Sequence, residues 1–365
     1  MLRGSTRQAS APGLAQVSLQ PNHNFMPHHP TALKFLQPGW FVIVMGLSGL
    51  SLAWHSAVPI LGDTAGAGAM VIGALAALVF AALAALSLLR WQRYPQALAD
   101  DLKHPVRHPL VAALPVSMLL LATVATALTG ASAFAQGLWL LGAAWQFGVT
   151  VWALARWLKG NKEGGLVWPS LTPLMLIPVV GNMLPPLAGV ALGFSQWSAA
   201  QFGLGLLLWP VLLALLAVRV GVTGLWSERL LASTFITVAP PAVAGLAALQ
   251  LGAPPLLAWM AWGVALFFLV WSAGIFKRAI SQPFSVMFWE LSFPLAALAA
   301  LTLQLAPHAA PWFQSLAMLL LALATLVIAA LSLATVKGLR EGTLLAPEPV
   351  AMITPASAAP DPAAR

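Results

Sequence analysis

The 365-residue chain has no cysteine. That removes disulfides, thiolate metal sites and cysteine nucleophiles together. Charge is scarce as well: 7% of residues are charged and 60% are hydrophobic, where a soluble domain carries about a quarter charged. Such a chain belongs in a bilayer. No aspartate lies inside any long apolar run; the runs hold one glutamate, Glu290, and one histidine, His55, at different depths. An intramembrane enzyme needs paired acids, a nucleophile with its base, or a metal cluster, and none of these can be assembled. No metal site or cofactor is expected. The net charge of +8 accompanies no nucleic-acid-binding module. Met1 to Leu36 has no apolar core of the kind a cleavable leader carries, and its Pro27-His28-His29-Pro30 cluster reads as flexible tail.

What the chain does have is ten apolar runs of about 20 residues. They cover roughly 39–57, 66–89, 109–129, 137–158, 171–192, 200–220, 230–251, 255–276, 283–305 and 311–336. The organisation expected is a cytoplasmic tail over 1–38, a ten-helix membrane domain over 39–336 and a Pro/Ala-rich, disordered cytoplasmic tail over 337–365. All seventeen Lys and Arg fall on alternate links or tails, and the other links hold none. That satisfies the positive-inside rule, with both termini cytoplasmic in an inner, plasma-type membrane. Arg93, Lys103 and Arg107 stand at the cytoplasmic mouth. They could raise the local anion concentration, and membrane topology alone accounts for them about as well.

Odd and even spans differ in composition. Pro115, Pro173, Pro178, Pro185, Pro186, Pro240, Pro241 and Pro294 fall in odd spans; even interiors hold Pro210 alone. Internal prolines kink helices, so kinks concentrate in one alternating set. The odd spans also carry small hydroxyl residues, among them Ser48, Thr123, Thr126, Thr237 and Ser292, which with Phe235 and Pro294 are candidates to line the path, though such hydroxyls often bond only the carbonyl four residues back. Tryptophans, Trp54 and Trp289 excepted, gather in the even spans, where their rings suit lipid contact. The expected fold is all-α: ten transmembrane helices as five helical hairpins, odd helices inside, around a central pore. A packed core without a path is the competing outcome.

The ninth span, PFSVMFWELSFPLAALAALTLQL, carries Glu290 close to Phe293-Pro294. Lipid tolerates such a carboxylate and break only where protein or water satisfies them. An ionised carboxylate beside an anion path would repel its cargo. Glu290 is therefore protonated, paired with another helix, or turned away, with coupling and structural roles both open. Span five, with Asn182 among four prolines, reads as a broken helix whose Asn182 amide and freed carbonyls line the path.

The stretches FVIVMGLSGLSLAWHSA (41–57), HPVRHPL (104–110), FITVAPPAVAG (235–245) and FSVMFWELSFPLAALA (284–299) resemble the TehA-type tellurite-resistance and C4-dicarboxylate transporter family, which includes the plant slow anion channels. The resemblance covers roughly 39–336. It implies ten helices in five hairpins around a pore, a homotrimer with one pore per protomer, and movement of small anions. It also implies a phenylalanine plug on the ninth helix, which maps to Phe293 within Ser292-Phe293-Pro294; Phe235 lies in another shared stretch. Glu290 departs from the family pattern. Two further readings stay open: a proton-linked exporter of dicarboxylate, sulfite or oxyanion that uses Glu290, and a structural membrane subunit.

Overall fold

The computed structural model describes residues 32–160 and 165–346. The tails beyond those limits, the histidine cluster and Lys162 lie outside the described residues. Among those described, every regular element is helical. Nine helices are long and apolar enough to cross a membrane: Pro38–Ser56 (α1), Asp63–Arg93 (α2), His108–Thr129 (α3), Ala133–Trp157 (α4), Ser195–Thr223 (α6), Glu228–Gln250 (α7), Pro255–Ile280 (α8), Val286–His308 (α9) and Pro311–Arg340 (α10). Between α4 and α6 lies a shorter, interrupted apolar segment, Pro173–Gly189 (α5). The expected fifth span is thus broken into short pieces, as its prolines dictate.

Helix starts and stops follow local chemistry. Gly62 and Gly130, both at positive φ, open α2 and close α3. Ser132 caps α4 by accepting the Ala135 N–H at 3.2 Å. At 31 residues α2 runs to about 46 Å, longer than a bilayer core, so its Arg93 end projects beyond the apolar region. Similarly, α10 continues to Arg340, four residues past the end of its apolar run.

The two alternating sets separate cleanly by burial. In the odd helices the buried share of the apolar window runs from 72% in α3 to 94% in α7; in the even ones it runs from 17% in α6 and α8 to 39% in α4. Packing partners follow the same division. The odd segments touch in a closed circuit: α1 on α3, α3 on α5, α5 on α7, α7 on α9 and α9 on α1. Each even helix leans on the outside of that circuit, α2 on α1 and α3, α8 on α7 and α9, α10 on α9 and α1.

The odd helices share one internal design. Each long one opens with a 3₁₀ segment and converts to α: at Val42 in α1, Ala113 in α3, Ala239 in α7 and Ser292 in α9. Pro115, Pro241 and Pro294 are each the third residue of the α segment. There a missing N–H costs little, while the ring excludes the carbonyl four residues back. The prolines therefore mark junctions between two helix types, where the sequence predicted kinks within one.

Tryptophan departs from expectation too. Trp145, Trp152 and Trp197 are exposed on even helices, but Trp139 of α4 is 1% exposed and donates to Pro185 O at 3.0 Å. Trp262 of α8 donates to Thr302 of α9 at 3.0 Å, and Trp54 and Trp289 reach Thr325 and Thr335 of α10 at 3.1 and 2.8 Å. An indole N–H sealed from water needs an acceptor, so these rings pin the outer helices to the inner ones instead of meeting lipid.

On the side of the long links, Arg90 bonds Asp101 at 2.7 Å and Lys34 O at 3.0 Å. Arg156 donates to Leu102 O and Lys103 O, the end of the short helix Pro95–Lys103. Those carbonyls would otherwise be orphaned at the helix terminus. This clasp ties α2, α4 and their links together.

Candidate functional site

One cavity lies where the odd helices change type. Its lining is Val42 and Met45 of α1, Val116 of α3, Ile177, Val180 and Gly181 of α5, Ile236 and Ala239 of α7, and Glu290, Phe293 and Pro294 of α9. All five odd segments contribute and no even helix does. The space open to the centre of a water molecule is about 20 Å³. That admits about one water and no hydrated ion. Apart from Glu290, every side chain in the wall is apolar.

Phe293 is the largest apolar residue of that wall and is 4% exposed. Its seat is made by α1. Gly49 leaves the ring its place: a Cβ there would stand 3.0 Å from Phe293 Cδ2. One turn earlier, a Cβ on Gly46 would overlap the Ser292 hydroxyl. Helices α1 and α9 approach this closely because small residues face each other, the usual means of close packing in a membrane.

Glu290 is 2% exposed, and neither carboxyl oxygen has a hydrogen-bond partner among the described residues. It is the last residue but one of the 3₁₀ segment in α9, and Pro294 stands four residues on. The carbonyl that Pro294 excludes is therefore that of Glu290 itself.

Of the sequence candidates, the cavity gathers Phe293, Glu290 and Pro294. The hydroxyls turn inward on their own helices. Thr123 and Thr126 donate to the carbonyls four residues back, both at 2.8 Å, and Thr237 to Thr234 O at 2.7 Å. Ser292 donates to Trp289 O, and Ser48 is fully buried with no partner among the described residues. Phe235 meets Phe276 edge-on at 6.0 Å, in a cluster with Leu291. Arg93 and Lys103 are exposed, whereas Arg107 pairs with Asp101 at 3.5 Å.

Asn182 sits in a network that the sequence reading missed. Pro178 O accepts from Asn182 Nδ2 at 2.7 Å and from Gln146 Nε2 at 2.8 Å, with Thr150 Oγ1 at 2.9 Å. Thr150 is equally near Gln146 O, so its single proton serves one carbonyl at a time. Gln201 of α6 donates to Asn182 Oδ1 and to Ala143 O, both at 3.1 Å. Gly181 lines the cavity on one side, and a Cβ on it would run into the Gln146 amide. The network thus backs the cavity wall where α5 is broken. Its signal was present: Gln146 and Gln201 are polar residues inside otherwise apolar even spans.

No group of three or more His, Asp or Glu side chains close enough to hold a metal ion occurs among the described residues. The arrangement offers no paired acid and base. It offers a narrow apolar constriction, and both Glu290 oxygens are sealed off from its open space.

A family model described as voltage-dependent anion channel matches residues 36–336. An uncharacterized transporter of Methanocaldococcus jannaschii is 23% identical over 302 residues, 74% of this chain and 84% of its own.

Proposed function

The chain belongs to the voltage-dependent anion channel family, and from that premise we propose a multi-pass anion channel whose path runs between the odd helices and is closed by Phe293. The observation carrying this reading is the cavity itself: five segments from across the sequence meet near their 3₁₀-to-α junctions, and the Phe293 ring stands in the wall of the narrow space between them. A ring across an apolar bore excludes water, and without water an ion cannot pass. Turning the ring aside opens the path with no rearrangement of the helices.

In this reading α5 counts as the tenth crossing, and short links join five hairpins, α1–α2 through α9–α10, around the path. Both termini lie in the cytoplasm of a bacterial inner membrane, since every Lys and Arg falls on the long-link side. Three protomers associate, each with its own path. Small anions are the cargo, drawn by a basic mouth with Arg93, Lys103 and Arg107, without a resident cofactor. Ser48, Thr123, Thr126, Asn182, Phe235, Thr237 and Ser292 support the wall in this reading and do not contact the ion.

The carboxyl of Glu290, without a hydrogen-bond partner among the described residues, favours a second reading, a proton-linked exporter in which Glu290 carries the proton. A coupled carrier loses all turnover in Glu290→Gln; a channel keeps conducting. The primary test compares anion flux through proteoliposomes of wild type and Phe293→Ala. We expect about a tenfold rise or more, equivalent to lowering the barrier by about 1.4 kcal/mol. Equal fluxes would place the gate elsewhere. Silence from both folded proteins would defeat the channel.

A further inference from the structure

Arg219 stands one turn from the C-terminal end of α6 and is 9% exposed, yet no carboxylate pairs with it among the described residues. The other buried arginine described, Arg90, has Asp101 at 2.7 Å. Two contacts fix the Arg219 guanidinium. Its Nη1 donates to Gly224 O, and its central carbon lies over the Trp226 ring, 5.2 Å from the ring centre. Neither Nε nor Nη2 has a hydrogen-bond partner among the described residues. Nε is covered by protein, whereas Nη2 keeps open surface. Capping the end of α6 takes only the Nη1 bond, and an amide would make that bond without bringing a charge. A largely buried charge without a counter-ion is costly, so the cap alone explains this arginine poorly.

The surroundings indicate what supplies the counter-ion. Arg219 closes the apolar run 200–220 on the side of the basic links, the level of headgroup phosphates in a bilayer. On the outward face of the same helix Leu215, Val218 and Val222 are exposed. Arg229, also exposed, adds positive charge in the link that follows. Glu228 of that link is already engaged, by Arg278 at 3.7 Å and Gln282 at 2.9 Å.

We infer that Arg219 is a phosphate-binding site for a phospholipid headgroup, with preference for lipids of net negative charge. A phosphate oxygen accepts from Nη2 in a charge-assisted bond, and the acyl chains lie along Leu215, Val218 and Val222. A headgroup with its own cation, such as choline, brings repulsion as well and is held less. Free phosphate offers the same oxygens but no chains. The bound lipid also steadies the link through Trp226, which donates to Leu171 O at 2.7 Å just ahead of α5. The inference does not depend on the channel reading.

The test reconstitutes the full-length protein in mixed phosphatidylglycerol and phosphatidylcholine, then counts by mass spectrometry the phospholipid retained after detergent washing. Wild type should retain phosphatidylglycerol in excess of its share in the mixture. Arg219→Gln, which keeps a donor for Gly224 O, should lower that enrichment about fivefold, the worth of one arginine at an anionic lipid surface. Arg340→Gln, exposed at the end of α10, should change it by less than about twofold. Equal enrichment in wild type and Arg219→Gln overturns the inference. So does an equally large loss in Arg340→Gln, which would make the effect one of general surface charge. If inorganic phosphate in detergent raises the wild-type melting point as much as phosphatidylglycerol does, the site takes free phosphate and the lipid assignment falls. Should Arg219→Gln not fold, Arg219→Lys carries the comparison. It keeps the charge without the flat, stacked fork and should show a smaller loss in the same direction; unchanged retention there overturns the inference too.

Discussion

Two populations of helix share this chain, and they solve the membrane problem in opposite ways. The even helices are long, continuous and mostly exposed: α2, α6, α8 and α10 each present a broad apolar face outward. Their stability needs little beyond hydrophobicity and unbroken backbone hydrogen bonds. The long odd helices are short in their α portion and begin as 3₁₀, and α3, α7 and α9 carry a proline at the change of type. Backbone so interrupted survives at membrane depth only when protein surrounds it, which the even helices do. The difference explains why the cavity is lined by one set alone. Only the interrupted helices need a sheath, and only they depart enough from regular packing to leave a space.

The largest effect that would break this comparison comes from three matched glycine substitutions. In α1, Gly46 sits where a Cβ would overlap Ser292 of α9; in α4 and α8, Gly148 and Gly263 have no atom within 4 Å of the equivalent point. Gly46→Leu should lose about 3 kcal/mol or more, read as a collapse of the monodisperse size-exclusion peak on mild heating. Gly148→Leu and Gly263→Leu should melt within a degree or two of wild type, since leucine suits an exposed helix. Equal sensitivity at all three positions would mean that the two sets are not packed differently.

Next in size is the network behind α5. Gln146→Leu keeps volume but takes one donor from Pro178 O and leaves the backing of Gly181 apolar. We expect a loss of about 1–2 kcal/mol, because the other donors, Asn182 and Thr150, remain. Asn182→Leu removes a donor and also takes away one of the two acceptors of Gln201, so it should cost more than Gln146→Leu in the same thermal assay. If the two variants melt together with wild type, the broken segment is held by shape alone.

How far the sequence reveals this arrangement depends on what kind of signal each part leaves. The spans are legible because apolar runs and basic links are composition, readable without neighbours. So is the division into sets, since proline is tolerated at Pro115, Pro241 and Pro294 only where the helix changes type. The change of type itself is not legible: 3₁₀ and α segments share the same apolar content, and hydropathy does not separate a period of 3.0 from 3.6 over six residues such as Val286–Leu291. The hydroxyls are ambiguous in the sequence for a related reason. A threonine inside a helix bonds its own backbone as readily as a passing ion, and the carbonyl four residues back is always in reach of Thr123 or Thr126. Glu290 and Phe293 of the cavity wall stand out by a different route, chemical oddity in an apolar span and resemblance to a family. The distant partners of Asn182 and Arg90 were hidden because they stand 19 or more residues away, at Thr150, Gln201 and Lys34.

The smallest expected effect concerns the indoles that join the sets. Trp262 of α8 donates to Thr302 of α9, while Trp145 of α4 is exposed. Trp262→Phe keeps most of the ring and removes the bond, a change worth about 0.6 kcal/mol for a hydrogen bond between membrane helices. Trp145→Phe removes an N–H with no described partner and should be neutral. The difference is near the resolution of a melting curve, so the cleaner readout is a double-mutant cycle with Thr302→Val. Thr302 also donates to Leu298 O, hence the single valine variant carries its own cost, which the cycle subtracts. A coupling energy near zero would show that the even helices adhere by packing alone. A coupling of about half a kcal/mol would make these indoles directional ties, fixing how each outer helix is rotated against the inner one it shields.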